Sequence, residues 1–246
     1  MRVSVCMATY NGAAFVEHQV HSILSELRAD DELIVVDDAS TDGTPERVEA
    51  IGDGRIRVVR NPRNLGYVRT FEAAMALSDG DVVLLADQDD EWVTGRRDVL
   101  AAAAASTGIA ASNLVILGTE EPLRSPVTGR PWRLRAKSSR HALRNELRIL
   151  VGDAPYFGCA MAVRRDVLPL VTPFPAFLTE SHDLWMATVG NAARSLQHVE
   201  ETTLRRRLHE SNASSPRPRG VRSAVASRVM LVRAWFEARR RVRAAR

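Results

Sequence analysis

The spacing of apolar and polar positions changes several times along the 246-residue chain, and each change marks an element. Val3-Ser4-Val5-Cys6-Met7-Ala8 reads as a strand running into the polar turn Thr9-Tyr10-Asn11-Gly12. Residues 15–27 place Phe15, Val16, Val20, Ile23, Leu24 and Leu27 at helical spacing. Residues 32–36 form a second strand, entering the turn Asp37-Asp38-Ala39-Ser40-Thr41-Asp42-Gly43-Thr44 that caps a helix near Pro45. Residues 55–60 alternate as a third strand, 68–77 are helical, and Val82-Val83-Leu84-Leu85-Ala86 is a buried fourth strand. Strands alternating with helices predict an α/β domain, a mostly parallel sheet with helices on both faces.

The second half is less regular. Residues 99–119 read as a helix, a turn and a strand, and they are too diluted by Ala, Ser, Gly, Thr and Asn to span a membrane. Residues 120–139 are rich in Pro, Arg, Gly and Ser and predict a mobile loop. Residues 141–150 predict a helix, 156–163 a buried strand, and 180–189 a polar cluster leading into a helix. A polar, Pro-rich linker over 211–220 precedes an amphipathic helix over 221–246, with Val225, Val229, Val232 and Phe236 on its apolar face.

Charge changes this picture at one end only. The net charge of +4 divides into +9 from residue 217 onward, with ten Arg against one Glu, and −5 over the preceding 216 residues. The basicity belongs to the tail, and the body lacks the basic, aromatic-studded surface of a nucleic-acid binder. Three readings of the tail stay open: a solvated helix packed on the domain, a contact with an anionic membrane, and a contact with an acidic partner. Cys6 and Cys159 sit in apolar runs without metal or redox spacing, which predicts buried thiols in a reducing compartment.

Candidate chemistry gathers where the fourth strand ends, at Asp87-Gln88-Asp89-Asp90-Glu91-Trp92. Adjacent carboxylates repel, so such a cluster predicts a cation, usually a metal ion. Three strands end in polar loops, over residues 9–12, 37–42 and 87–91, and in a parallel sheet those ends converge on one ligand. No G-x-G-x-x-G follows the first strand and no P-loop appears, so side chains and a metal must hold the ligand. A phosphohydrolase using Asp87 as nucleophile fits poorly, because Lys137 is the only lysine.

These segments resemble the inverting nucleotide-sugar glycosyltransferases of family 2, which have the GT-A fold. VCMATYNG at 5–12 and IVVDDASTDGT at 34–44 resemble the family's first two nucleotide loops. NPRNLGYVRTF at 61–71 is similar to the segment before the acidic motif, and DQDDEW at 87–92 resembles the D-x-D motif in its rhamnosyltransferase-like form. His182-Asp183-Leu184-Trp185 resembles the general-base motif, and Arg207-x-His209-x-x-Asn212 a downstream R-x-H segment. Each piece is weakly specific; six in order are strongly so. Two departures are Arg206, where an aromatic is usual, and Thr70, where Asn is common.

The resemblance implies one GT-A domain over residues 1–216, with a nucleotide-sugar half (1–98) and an acceptor half (99–216), then a linker and Arg-rich helix over 217–246. It implies Asp183 as catalytic base, with an N-terminal helix cap as that residue's plain structural alternative and Glu180 as its local rival. It places Thr9, Tyr10, Asn11 and Asp38 at the base and ribose, with Asp38 accepting from the pyrimidine ring N–H. Asn64, Gly66, Asp87, Gln88 and Arg207 complete the nucleotide-sugar contacts. Asp89, with Asp87 and His209, is implied to hold Mg²⁺ or Mn²⁺. Asp90 and Glu91 are expected to be loop or capping residues.

The implied activity is hexosyl transfer with inversion to a glycan or lipid-linked hydroxyl, in cell-envelope polysaccharide synthesis. The donor reads as a dTDP-deoxysugar such as rhamnose, with UDP-sugars open. The implied location is the cytoplasm, peripheral to the inner face of the membrane. A non-catalytic nucleotide-sugar-binding module is the alternative.

Overall fold

The computed structural model describes residues 1–209 and 220–246. Most of the expected linker, and Asn212, lie outside these residues. The first half contains β1 (Val3–Thr9), α1 (Val16–Leu24), β2 (Glu32–Asp37), α2 (Thr44–Glu49), β3 (Ile56–Arg60), α3 (Tyr67–Ala76) and β4 (Val82–Asp87). There follow β5 (Glu91–Trp92), α4 (Arg96–Thr107), β6 (Ile109–Ile116), α5 (Ala142–Val151) and β7 (Met161–Arg164). The chain continues with α6 (Leu168–Val171), α7 (His182–Ala193), β8 (Leu196–Arg206) and α8 (Val221–Ala244).

All eight strands join one sheet, in the order β3-β2-β1-β4-β7-β6-β8-β5. β1 to β4 are parallel, as the strand–helix alternation predicts. Beyond them the sheet is mixed. β7 enters antiparallel between β4 and β6, β6 and β8 are parallel, and β5 is antiparallel on the far edge. The strand expected over 156–163 is shorter than its apolar run, because residues 158–160 form a 3-10 turn and pairing is confined to β7. An apolar run reports burial, not the point at which a partner strand begins.

Period-two alternation divides the core between the two faces. Cys6, Ile34, Val36, Val83 and Leu85 face one apolar layer, which includes Phe71 of α3, Trp185 of α7 and Leu231 of α8. Val5, Met7, Leu33, Val35, Leu84 and Ala86 face the other, with Val20 of α1 and Leu100 of α4. A sheet covered on both faces exposes its ligand loops only at the strand ends.

In the one reading that packs this apolar face of α8 on the domain, the inner face comes out reversed. Val225, Val229, Val232 and Phe236 are exposed, whereas Met230, Leu231, Ala234, Ala238 and Val242 are buried. The helix has two apolar rows, and the row with alanines at 234 and 238 allows a close approach to α7. Hydrophobicity alone favours the bulkier row, which is why the sequence pattern points to the wrong side.

One ion pair closes the base of the sheet. Asp31 accepts from the Val3 and Arg28 amides, both at 2.8 Å, and from Arg97 Nε and Nη2 at 2.9 and 2.7 Å. Burial pushes this carboxyl up, but the hydrogen bonds from Arg97, Arg28 and Val3 outweigh it and hold the pKa below the usual range. Arg97→Ala strands the Asp31 charge and is expected to destabilise by about 3–5 kcal/mol, read by urea unfolding at neutral pH. A folded pKa below the unfolded one gives stability that is present above the unfolded value and lost as pH falls through the folded one. The deficit of Arg97→Ala therefore shrinks in acid, and a pH-independent deficit contradicts the assignment.

Candidate active site

The loops after β1, β2 and β4 converge on a cavity of about 550 Å³, within the usual range for small-molecule sites. Thr9 Oγ donates to Asp37 at 2.8 Å, and the Asp38 amide donates to Thr9 O at 2.8 Å, which joins the first two loops. Asp37 and Asp42 bind neighbouring turn groups, Ser40 and Thr44. Asp38 instead reaches the third loop. Its Oδ1 accepts from Asn61 Nδ2 (2.9 Å) and Leu65 N (2.8 Å), and its Oδ2 from Gly66 N (2.8 Å). A carboxylate has about four lone-pair sites, so one acceptor position remains for a ligand N–H.

Gln88 clips the Tyr10 backbone from both sides, accepting from its amide at 2.9 Å and donating to its carbonyl at 3.1 Å. Gly12 permits this: a Cβ there would lie 2.2 Å from Gln88 Oε1. Thr9, Tyr10, Asp38, Asn64, Gly66, Asp87, Gln88 and Asp89 all line the cavity. Asn11 does not. Its side chain accepts from the Thr41 amide at 2.9 Å and joins two loops outside the cavity.

Negative charge is concentrated at the end of β4. Asp87, Asp90 and Cys159 each bring a ligating atom within 4.8 Å of the others. Burial and then the charge of Asp89 push Asp87 up to about 6, with Arg206 opposing. Burial and the charges of Asp87 and Asp89 push Asp90 up to about 8. Burial and the neighbouring aspartates also raise the Cys159 thiol well above its usual value. Asp90 Oδ1 accepts from Arg207 N at 3.1 Å, but its buried Oδ2 has no protein partner.

Two close carboxylates and an orphaned oxygen fit a hard divalent cation of the Mg²⁺ or Mn²⁺ type; the neutral thiol adds little for such an ion. Asp90 is thus part of the cluster rather than a loop cap. Glu91 is the structural member, pairing with His18 at 2.8 Å and Arg205 at 2.9 Å. Asp89 and His209 are brought together, with Nε2 2.6 Å from Oδ2, and His209 stacks on Phe15.

The cationic wall comes from a neighbour of the expected residue. Arg207 Nε donates to Asp89 O at 3.1 Å, its guanidinium lies over Phe15, and it is not among the cavity-lining residues. Arg206 lines the cavity, buried and set over the Phe157 ring. Alternation along β8 decides the register: Leu204 and Arg206 point inward and Arg205 outward. That signal is present in the sequence, but the Arg205-Arg206-Arg207 run obscures it. Fully buried Arg96 braces the floor, donating to Leu85 O at 3.2 Å, Cys159 O at 2.5 Å and Thr203 Oγ at 2.8 Å.

Asp183 lies across the same cavity, in the first turn of α7. The N-cap position belongs to Ser181, in the left-handed region at φ 60° and without a side-chain cap bond, and Asp183 itself satisfies an amide of the first turn. Its Oδ1 accepts from Leu184 N at 2.8 Å. Burial, with the charge of Asp87 adding, pushes its pKa up to about 6, against the pull of Arg206. Glu180 also lines the cavity and accepts from Ser227 Oγ at 2.8 Å.

His182 was not legible as a wall residue. Its ring stacks on Phe71 at 4.5 Å, and neither ring nitrogen has a protein partner. Burial lowers its pKa to about 4, so it is neutral at physiological pH.

A family model for glycosyl transferase family 2 matches residues 4–169. The chain belongs to this family. Over 92 residues it is 34% identical to an Escherichia coli UDP-Glc:alpha-D-GlcNAc-diphosphoundecaprenol beta-1,3-glucosyltransferase, WfaP, covering 37% of each chain. Over 106 residues it is 34% identical to abequosyltransferase RfbV of Salmonella typhimurium, covering 41% of this chain and 29% of that protein. These matches span well under half of the relatives' own length. A crystal structure of S. aureus TarS 1-349 in complex with UDP-GlcNAc superposes with a TM-score of 0.71 at 16% identity, covering 95% of this chain and 66% of that one. At that identity the likeness is one of fold, the GT-A arrangement expected from the motifs.

One contact within this family 2 site is open to a direct test. A Cβ on Gly158 would lie 2.3 Å from His182 Nε2. Gly158→Ala is expected to destabilise by about 1–3 kcal/mol in chemical unfolding, and adding His182→Ala should recover most of that loss. Simple additivity of the two changes contradicts the contact.

Proposed function

We propose that this chain transfers a sugar, with inversion, from a nucleoside-diphosphate donor to a hydroxyl of a glycan or lipid-linked acceptor in cell-envelope polysaccharide synthesis. The observation that carries this reading is Asp183, with its raised pKa, lining one cavity with Asp87 and Asp89. Two carboxylate environments in one site suit two tasks, proton removal and charge handling.

In this reading Asp38 accepts from the pyrimidine N–H, and Thr9 and Tyr10 line the base and ribose. Asn64 and Gly66 form the rim beside them. Asp87, Asp89 and Asp90 hold a divalent ion, with His209 steering the Asp89 carboxylate. When bound, that ion neutralises the charge gathering on the diphosphate leaving group. Arg206 supplies fixed positive charge on the same wall, and Arg207 supports it from outside, its guanidinium holding the Asp89 carbonyl and its amide the Asp90 carboxylate. Asp183 takes the proton from the acceptor hydroxyl as that oxygen attacks the face opposite the departing diphosphate, so one displacement inverts the anomeric centre.

Donor identity has support in two directions. WfaP by name uses UDP-Glc, and TarS was crystallised with UDP-GlcNAc. The DQDD and HDLW motif forms favour a dTDP-deoxysugar such as rhamnose. A thermal-shift panel of UDP- and dTDP-sugars with and without Mn²⁺ separates them, since the true donor stabilises by mass action. Asp87→Asn with Asp90→Asn should abolish the Mn²⁺-dependent part of the donor shift; an unchanged shift sinks the metal assignment.

Asp183→Asn is expected to lower kcat by about 10²–10⁴-fold while leaving donor binding intact. Only the ionised carboxylate accepts a proton, and its raised pKa keeps it protonated in mild acid. Wild-type kcat/KM should therefore rise as pH increases through about 6 and level off above it. Full turnover by Asp183→Asn removes Asp183 from the mechanism.

A further inference from the structure

Seven of the thirteen large apolar side chains exposed among the described residues lie on two neighbouring helices. On α8 they are Val225, Val229, Val232 and Phe236, between 41% and 62% exposed. On α5 they are Leu143, Leu147 and Val151, between 55% and 69% exposed. Spacings of three and four residues put each set in one row along its helix. The helices pack on each other, and they meet where Gly152 ends α5: a Cβ there would lie 2.8 Å from Arg228 Nη2.

The α8 row is bordered by positive charge. At helical spacing Arg222, Arg233 and Arg240 follow one side of the stripe, and Arg228 and Arg239 the other. Arg140 and Arg144 are exposed beside the α5 row. The inner face of α8 grips the cavity rim: Ser227 Oγ donates to Glu180 at 2.8 Å, and Met230 packs at Thr179. Both rim residues line the cavity beside Asp183.

We infer that the outer faces of α5 and α8 form a docking surface for an anionic lipid bilayer, with the apolar rows entering the headgroup boundary and the arginines meeting lipid phosphates. The inference deepens the proposed function and rests on it in one respect: a lipid-linked acceptor would then be presented to a site whose rim is held by the docking helix. A bilayer fits better than a second copy of the chain. Two-fold pairing through this stripe brings arginine borders together, whereas an anionic surface neutralises them. No helix among the described residues is long and apolar enough to cross a membrane, so the contact is interfacial.

Removing α8 is a poor test, because Leu231, Ala234 and Ala238 belong to the core. The test uses full-length protein with Val229→Asp plus Phe236→Asp, with Leu147→Asp, and with Arg222→Glu plus Arg239→Glu. It reads co-sedimentation with vesicles of phosphatidylglycerol and phosphatidylcholine in equal parts, and with phosphatidylcholine alone. Wild type should bind the mixed vesicles, at least about tenfold better than phosphatidylcholine alone and less well in high salt, and each variant should lose about tenfold. Donor-induced thermal shifts should persist in all variants, which shows that they fold and separates this surface from the sugar-transfer reading. Failure of wild type to bind, or unchanged binding by the folded variants, overturns the proposal. So does a dimer in solution that the Asp substitutions dissociate while wild type ignores vesicles.

Discussion

The Asp87 and Asp90 carboxylates are confined together where burial penalises charge. The end of β4 puts them side by side with Cys159, and burial first, then neighbouring carboxylate charge, raises both pKa values, to about 6 and about 8. Positive charge must offset this. Arg206 and Arg96 supply part of it from the protein, and the buried Asp90 Oδ2 has no protein partner. Much of the site follows from this constraint: the inward register of β8, the bracing by Arg96, and the closing of the Arg207 backbone on Asp90.

The sheet makes the constraint possible. Helices cover both faces, so polar groups collect at the strand ends, where the loops after β1, β2, β3 and β4 interlock through Thr9, Asp38 and Gln88. Asp183 arrives from a different direction, on α7, whose N-terminus is packed through His182 against Phe71. The clustered carboxylates therefore sit at a strand end. The candidate base sits on a helix whose position depends on α8 behind it. An enzyme that accepts a bulky second substrate can place its variable side there without disturbing the donor loops.

The first four strands and their helices were legible because alternation and helical periodicity are strong where both faces of a sheet are covered. The aspartates were legible because carboxylates crowded after an apolar strand have few structural uses. Arg206, His182 and Cys159 were not. Each occupies the wall through long-range packing: Arg206 through β8 register, His182 through stacking between distant segments, Cys159 through a turn that reads as a strand. The α8 face was misread because two apolar rows compete, and the winner was chosen by how closely alanines approach α7 rather than by hydrophobicity.

Sequence alone determined the parallel first half of the sheet, the family motifs in their order, and an acidic cluster at the end of the fourth strand. These depend on local period and on residue types that repel or cap within a few positions. Tertiary structure decided which arginine faces the cavity, that Asp90 joins the cluster, that Asp183 lies on the cavity wall, and which side of α8 meets the core. Those choices are settled by contacts between segments as far apart as residues 87 and 206, and no local pattern encodes the free-energy differences between them.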